Sequence, residues 1–390
     1  MSERTRIQVK LAGPATEMAQ EEIEKQVAFL SKTISNIKFA DADTLEFDAE
    51  VEAAEQLAAS ARELAGTIQK TLRNLQRKVA FRSSTVDNPV FRGGSAEGID
   101  YEGAGLSVLT GLPLRLWEYF DRCFAEFGRP WNPIPMRAPT LIPTTVLARC
   151  DYFRSFPHNV TFACHLPEEP TCIEAFRTRH FARETLDDQA LADMVTPEAC
   201  LSPAVCYHAY YANRNRVLGN DPLVYTMIGK CFRYESSNTR DLWRLWDFTM
   251  REVVFLGHRE AILAERDKGI ELFQSFLEDH WIAAEIRTAS DPFFIAPDAA
   301  GKTYFQISSD TKYEISMLLP NGGRVAAGSF NHHGDFFGKA FNVTLPNDTP
   351  MHSVCFAWGL ERWVYGFLAQ HGSDPAKWPD VMRGAPEFQS

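Results

Sequence analysis

The chain has 390 residues, 45% of them hydrophobic and 28 of them Phe, and its 51 acidic residues outnumber 40 basic ones for a formal net charge of −11. That length suits one large domain plus a small one around a sizeable core. An acidic chain lacks the broad basic field that drives phosphate neutralisation, so a nucleic-acid grip over the whole surface is excluded and only a local patch remains.

Residues 6 to 83 read as a small α+β unit. Ile7, Val9 and Leu11 alternate as on a half-buried strand, and Ile23, Val27, Leu30 and Ile34 follow helical spacing. Ile37/Phe39 and Leu45/Phe47 flank Ala40-Asp-Ala-Asp43 as a hairpin. Leu57, Leu64, Ile68, Leu72 and Leu75 mark a second helix, and Val79/Phe81 a last strand. The order β-α-β-β-α-β predicts a ferredoxin-like domain over 1–83. It carries no catalytic constellation, which favours docking or assembly. Gly93, Gly94, Gly98 and Gly103 among polar residues predict a linker over 84–104. The larger domain, 105–390, opens with a helix from Leu112 to Phe127. An extended stretch with Pro133, Pro135, Pro139 and Pro143 follows, because proline suits neither helix interiors nor central strands.

Eight cysteines include no C-x-x-C pair, no apolar run approaches a membrane span, and Met1-Ser-Glu-Arg-Thr-Arg6 has no signal core. The expected setting is the cytoplasm with reduced thiols and no membrane partner. Most of these cysteines are expected in the core.

Two separated stretches carry the chemistry. One is Cys231-Phe-Arg233-Tyr-Glu235, running on to Arg244-Leu-Trp-Asp-Phe248-Thr-Met-Arg251-Glu252; the other is Cys355-Phe-Ala-Trp-Gly359-Leu-Glu-Arg362-Trp363. Arg233 and Glu235, two apart on a strand, share a side. Guanidinium forks suit the charge that builds on a phosphate under attack. Any single Arg-x-Glu reads better as a surface arginine beside an acid; the whole set in this order does not. Together the stretches resemble the ATP site of class II aminoacyl-tRNA synthetases. The resemblance implies Arg233 on the α-phosphate, Glu235 on the adenine amino group, Arg244 on a phosphate, Phe248 stacked on adenine and Arg362 on the γ-phosphate. It also implies an antiparallel sheet flanked by helices and, from the helix followed by a proline-ended strand, a homodimer.

Thr311-Lys-Tyr-Glu-Ile-Ser-Met-Leu-Leu-Pro320 and Ser329-Phe-Asn331-His-His-Gly-Asp335-Phe-Phe resemble seryl-tRNA synthetase segments, with Ser329 and Asn331 at amino-acid-binding positions. Within that group the likeness is to the zinc-dependent seryl synthetases of methanogens and to amino acid:[carrier protein] ligases. It implies a zinc ion held by Cys206, Glu252 and Cys355 that takes the substrate's α-amino group, with Glu252 shared between metal and amino acid. Sequence spacing alone would not nominate this trio: a cysteine is ordinarily inert, Glu252 could pair with Arg251, and Cys200 competes with Cys206. Cys206 is preferred because Tyr207-His-Ala-Tyr-Tyr after it reads as a strand. Val325-Ala-Ala-Gly328 stands where the family places an acid for ATP-bound Mg2+, leaving Glu314 and Asp335 as candidates. His332 and His333 read as satisfied polar residues rather than ligands.

Leu57 to Gln76 is too short for a tRNA-reaching coiled coil. The favoured function is therefore ATP-dependent activation of a small amino acid (glycine, alanine or serine) and transfer to a phosphopantetheine-bearing carrier protein, without tRNA. The alternatives are a tRNA-serylating enzyme and an inert paralogue that senses amino acids. Arg177, Arg179, His180, Arg183, Arg214 and Arg216 are candidates for docking an acidic carrier.

Overall fold

The computed structural model describes residues 3–73, 75–93, 96–182, 185–234, 241–289 and 310–389. The N-terminal unit consists of β1 (Arg4–Lys10), α1 (Glu17–Val27), β2 (Ser35–Asp41), β3 (Thr44–Glu50) and α2 (Ala54–Leu72). Alternating Ile7 and Val9 of β1, and Leu45, Phe47 and Ala49 of β3, bury one sheet face against Ile23 and Val27 of α1 and Leu57, Ala61 and Ile68 of α2. Thr16 caps α1 by accepting from the Ala19 N–H at 3.2 Å.

The sheet order is β1-β3-β2, as in a ferredoxin-like unit, but the fourth strand is elsewhere. β4 (Val79–Arg82) pairs antiparallel with Ala284–Thr288 and forms an edge strand of the large sheet. The reason lies in its partners. Arg82 pairs with Glu285 at 2.9 Å, the Lys78 N–H donates to the Thr288 hydroxyl at 3.0 Å, and Arg77 donates to the Thr288 carbonyl at 3.1 Å. β4 thus fastens the small unit to the large one. The expected linker is ordered over much of its length: β5 (Ile99–Gly103) and β6 (Leu106–Leu109) form a hairpin. Gly98, at φ +97°, lies so close to Thr110 that a Cβ would sit 2.5 Å from its carbonyl oxygen.

In the large unit, α3 (Gly111–Phe127) leads to β7 (Ile134–Met136). A small side sheet of β8 (Leu141–Pro143), β9 (Phe162–Ala163) and β10 (Ala199–Leu201) follows, in the order β8-β10-β9. Then come β11 (Leu223–Phe232), β12 (Asp247–Gly257), β13 (Ala284–Thr288), β14 (Lys312–Leu318), β15 (Arg324–His332) and β16 (His352–Gly359). The eight-stranded sheet runs β4-β13-β14-β15-β16-β12-β11-β7 and is antiparallel except for β7 beside β11.

The period of two decides what each face does. On β16, Val354, Phe356 and Trp358 point to the back and join Phe120, Phe124, Phe273 and Trp363 from α3 and the helices Arg259–Asp279 and Leu360–His371. Phe124 stacks on Trp358 with centroids 4.9 Å apart and planes 9° apart. Ser353, Cys355 and Ala357 point to the front, under the short helices Cys206–Ala212 and Phe336–Phe341. Gly338 lets the second of these helices touch the chain before β16: a Cβ there would meet the Met351 carbonyl oxygen at 2.3 Å. No helix among the described residues is long and apolar enough to cross a membrane.

Two measurable consequences follow from this packing. Gly338→Ala forces backbone against backbone and is expected to cost about 1–3 kcal/mol in urea unfolding. His280, buried, donates through Nδ1 to the Phe276 carbonyl at 2.8 Å and meets the Tyr119 hydroxyl through Nε2 at 2.8 Å. Burial lowers its pKa to about 4. The unfolded chain therefore takes up a proton below about pH 6.5 that the folded chain refuses. Its contribution to stability is complete above pH 6.5 and is lost as pH falls toward 4, by about 3 kcal/mol. His280→Gln should show a shallower loss of unfolding free energy between pH 7 and pH 4.5.

Candidate active site

A cleft of about 1570 Å³ opens on the front of the large sheet. The alternation that turns Trp358 to the back turns Cys355 and Ala357 into it. On β12 it turns Phe248, Met250 and Glu252 forward while Arg251 goes to the back and forms a two-point ion pair with Asp121 at 2.7 and 2.9 Å. Glu252 is thus not engaged by its neighbour.

Glu252 and Cys355 are diagonal neighbours across the β12–β16 pair, whose register sets Val254 opposite Cys355 and Glu252 opposite Ala357. Cys206 comes from the first turn of the helix Cys206–Ala212, which lies over this pair. The residues after Cys206 are helical, not the strand expected from Tyr207-His-Ala-Tyr-Tyr: Ala209 and Tyr210 fall on one helix face and bury themselves. The two Sγ atoms and a Glu252 carboxylate oxygen lie within 4.8 Å of one another, all buried. Cys355 Sγ stands 3.4 Å from Glu252 Oε2. Two ligands at usual zinc–sulfur and zinc–oxygen lengths and tetrahedral angles stand about 3.5 Å apart, so the donors fit zinc with little adjustment. Two sulfurs argue against a hard cation such as Mg2+. All three residues line the cleft. Burial pushes the Glu252 carboxyl above its ordinary pKa, and the Cys355 thiol well above its own. A cation in their midst reverses that penalty by favouring the ionised forms.

The expected nucleotide residues surround the same cleft. Arg233, just past the end of β11, donates through Nε to the Pro203 carbonyl at 3.0 Å, and its guanidinium lies 5.3 Å from the Phe248 ring centroid. Arg362, two residues into the helix that follows β16, donates to the carbonyls of Trp243 at 2.9 Å and Ala326 at 3.0 Å. Those bonds hold its guanidinium on the cleft wall. Arg244 also lines the cleft but precedes β12, which begins at Asp247 rather than before the arginine. Glu235 lies outside the described residues.

Asn331 Nδ2 donates to Ser329 Oγ at 2.8 Å, so these two β15 residues present one preset polar pair to the cleft. Glu314 and Asp335 also line it, each held by a lysine: Lys312 at 3.1 Å and Lys339 at 2.7 Å. Neither belongs to a cluster of three ligand groups among the described residues. A built magnesium site is therefore not formed by them. His332 stacks on His352, and burial holds its pKa at about 4; His333 contacts Tyr210 and Ser353.

Several expectations are corrected. Cys164 and Cys172 are exposed, not core. In the proposed basic patch, His180 is buried against Phe176, Arg177 and Arg179 are paired with Glu174 and Asp193, and Arg214 lies over Tyr211. Arg216 donates to Asn213 at 2.6 Å, and Arg183 lies outside the described residues. Nothing in the sequence signals that the N-terminal unit walls the cleft. Glu17, Glu21 and Glu24 of α1 line it, with Glu21 paired to Arg77 and to Arg287 of β13. Helical periodicity in α1 was visible; the surface it would face was not.

The family description "tRNA synthetase class II core domain (G, H, P, S and T)" matches residues 191–371. The chain is 32% identical over 263 residues to amino acid--[acyl-carrier-protein] ligase 2 of Bradyrhizobium diazoefficiens, a match covering 66% of this chain and 75% of that protein. It is 26% identical over 321 residues to the type-2 serine--tRNA ligase of Methanopyrus kandleri, covering 78% of this chain and 60% of the ligase, so it spans less than two thirds of that relative. The crystal structure of M. kandleri SerRS in complex with A. aeolicus tRNASec shares the fold with a TM-score of 0.68 at 21% identity, covering 97% of this chain and 76% of that one. The antiparallel sheet, the arginines along its front and these matches lead to one conclusion: the chain belongs to the class II tRNA synthetase core family, as a homologue of the type-2 serine--tRNA ligases and the amino acid--[acyl-carrier-protein] ligases.

Proposed function

We propose that the chain activates a small amino acid (glycine, alanine or serine) with ATP and passes the aminoacyl group to the phosphopantetheine thiol of a carrier protein. The observation that carries this reading is that Cys206, Glu252 and Cys355 open into the same cleft as Arg233, Phe248 and Arg362. An amine held at the first set leaves its carboxylate facing a nucleotide held at the second.

The residues divide the work. A zinc ion, when bound by Cys206, Glu252 and Cys355, supplies an open position for an uncharged α-amino group. Ser329 and Asn331 bind the amino acid beside it. Phe248 stacks on adenine and Glu235 accepts from its amino group. Arg362 and Arg244 hold phosphates, with Arg362 on the γ-phosphate. Arg233 meets the α-phosphate, where charge develops as the amino-acid carboxylate oxygen attacks phosphorus and the bond to pyrophosphate breaks. In the second half the acceptor sulfur attacks the adenylate carbonyl, its proton leaves, and AMP departs. The thiol belongs to the acceptor, so no cysteine of this chain acts as nucleophile. Mg2+ enters with ATP on the nucleotide's phosphates, and Glu314 and Asp335 are the candidate protein ligands.

One observation favours a carrier protein over tRNA: the relatives at 32% and 30% identity, spanned to 75% and 74% of their lengths, are named acyl-carrier-protein ligases. The tRNA reading has its own support in the type-2 serine--tRNA ligase relatives and in the solved neighbour bound to tRNA. The homodimer and the cytoplasmic setting belong to this proposal.

Exchange of labelled pyrophosphate into ATP, measured across the common amino acids, should respond to a small one. Response to none would leave the inert paralogue as the reading. Arg362→Ala should lower kcat/KM in that assay about 10²–10³-fold, as expected for removing one charge-stabilising donor. Purified Cys206→Ala should retain less than a tenth of the wild-type zinc. With holo-carrier protein and tRNA offered side by side, label should move to the carrier; label on tRNA alone would overturn the acceptor assignment.

A further inference from the structure

β15 runs along the cleft, and its front face reads in order Arg324, Ala326 and, past a register shift, Ser329 and Asn331. Ser329 and Asn331 mark the end assigned to the amino acid. The Ala326 carbonyl accepts from Arg362 at 3.0 Å. Arg324 lies two residues further from the amino-acid end, about 7 Å along the strand. It lines the cleft too, as does Ser316, which β14 sets opposite Ala326. The face carries no acid.

The fold does not use all of Arg324. Its Nη1 stands 3.1 Å from Glu285 Oε2, yet this buried nitrogen makes no hydrogen bond: the two groups are close without being aligned. Glu285 has an aligned partner in Arg82 at 2.9 Å, so its charge is met without Arg324. Arg287 is paired with Glu17 and Glu21 of α1, whereas Arg324 has no ion pair besides Glu285 among the described residues. Burial, and after it the nearby Arg287, push the Arg324 pKa below the ordinary arginine value. An anion in the cleft would relieve both effects and take the unused donor. The reaction places an anion at this end. The carboxylate oxygen attacks the α-phosphorus from the amino-acid side, and the leaving oxygen departs roughly in line on the opposite side. Pyrophosphate therefore leaves away from Ser329 and Asn331, and Arg324 stands at that far end of β15.

We propose that Arg324 is a further ATP-binding residue of the cleft, which donates to the terminal phosphates of ATP and to the pyrophosphate they become. This rests on the nucleotide reading above and adds a guanidinium to Arg233, Arg244 and Arg362. As the bond from the α-phosphorus to the bridging oxygen breaks, the electron pair stays on that oxygen, and Arg324 meets the charge that pyrophosphate carries away. AMP lacks those phosphates, so its binding does not depend on Arg324.

The test is equilibrium binding of ATP, AMP and pyrophosphate to the full chain by titration calorimetry with Mg2+ present, on wild type, Arg324→Ala and Arg324→Lys. Arg324→Ala is expected to weaken ATP and pyrophosphate about 10–100-fold, the loss that follows removal of hydrogen bonds to a charged group, and AMP less than about twofold. Arg324→Lys keeps the charge beside Glu285 but loses the planar fork, so its ATP affinity should fall between wild type and Arg324→Ala. A residue that only supports the fold would move ATP and AMP together. Were Arg324→Ala unable to fold, Arg324→Lys carries the same test, with an expected loss of about 3–10-fold for ATP and none for AMP. Wild-type ATP affinity in the variant, or equal losses of ATP and AMP, overturns the proposal. A wild-type protein that binds neither ATP nor AMP overturns the nucleotide reading itself, before any variant is compared.

Discussion

Two thiols and a carboxylate buried within 4.8 Å of one another are costly to keep inside a protein. Each is an acid whose ionised form burial opposes, and among apolar neighbours they gain little from water. Such a cluster persists only if a cation offsets that cost or if the groups stay protonated and idle. The proposed function takes the first alternative: the trio lines the cleft that Arg233, Phe248 and Arg362 also line, and β12 carries both Glu252 and Phe248.

β16 makes that arrangement possible. Its back face supplies Phe356 and Trp358 to the aromatic cluster around Phe124 and Phe273, and its front face supplies Cys355 and Ala357 to the cleft. Back-face packing fixes the strand, and the fixed strand fixes Cys355 relative to Glu252 through the register with β12. Catalytic geometry needs positions held within a fraction of an ångström, which loops alone seldom give. The helix Leu360–His371 then starts at Gly359 and brings Arg362 round to the Trp243 and Ala326 carbonyls. The N-terminal unit completes the enclosure: β4 hooks it to the edge of the sheet, and α1 reaches the cleft through the Glu21 pairs with Arg77 and Arg287.

Much of this was legible in the sequence, for identifiable reasons. Strands with one buried face announce themselves by alternation, and β1 and β3 did. The arginines were legible because phosphate chemistry restricts the residue type and their order matched a known family. What failed depended on tertiary partners. Val79-Ala-Phe-Arg82 is a strand in either sheet, and only Glu285 and Thr288, some two hundred residues away, decide which. Tyr207-His-Ala-Tyr-Tyr has the aromatic content of a strand, yet packing of Ala209 and Tyr210 on one side makes it a helix. His180 looked like surface charge because its neighbours are basic; Phe176, four residues earlier, draws it inward.

The central claim is that the buried trio and the arginines act on one amino acid between them. Its most direct test is amino-acid-dependent pyrophosphate exchange by the same preparation before metal removal, after it, and after zinc is restored. Exchange should be present, fall by at least tenfold, and return. Undiminished exchange in protein shown to be free of metal would contradict the claim.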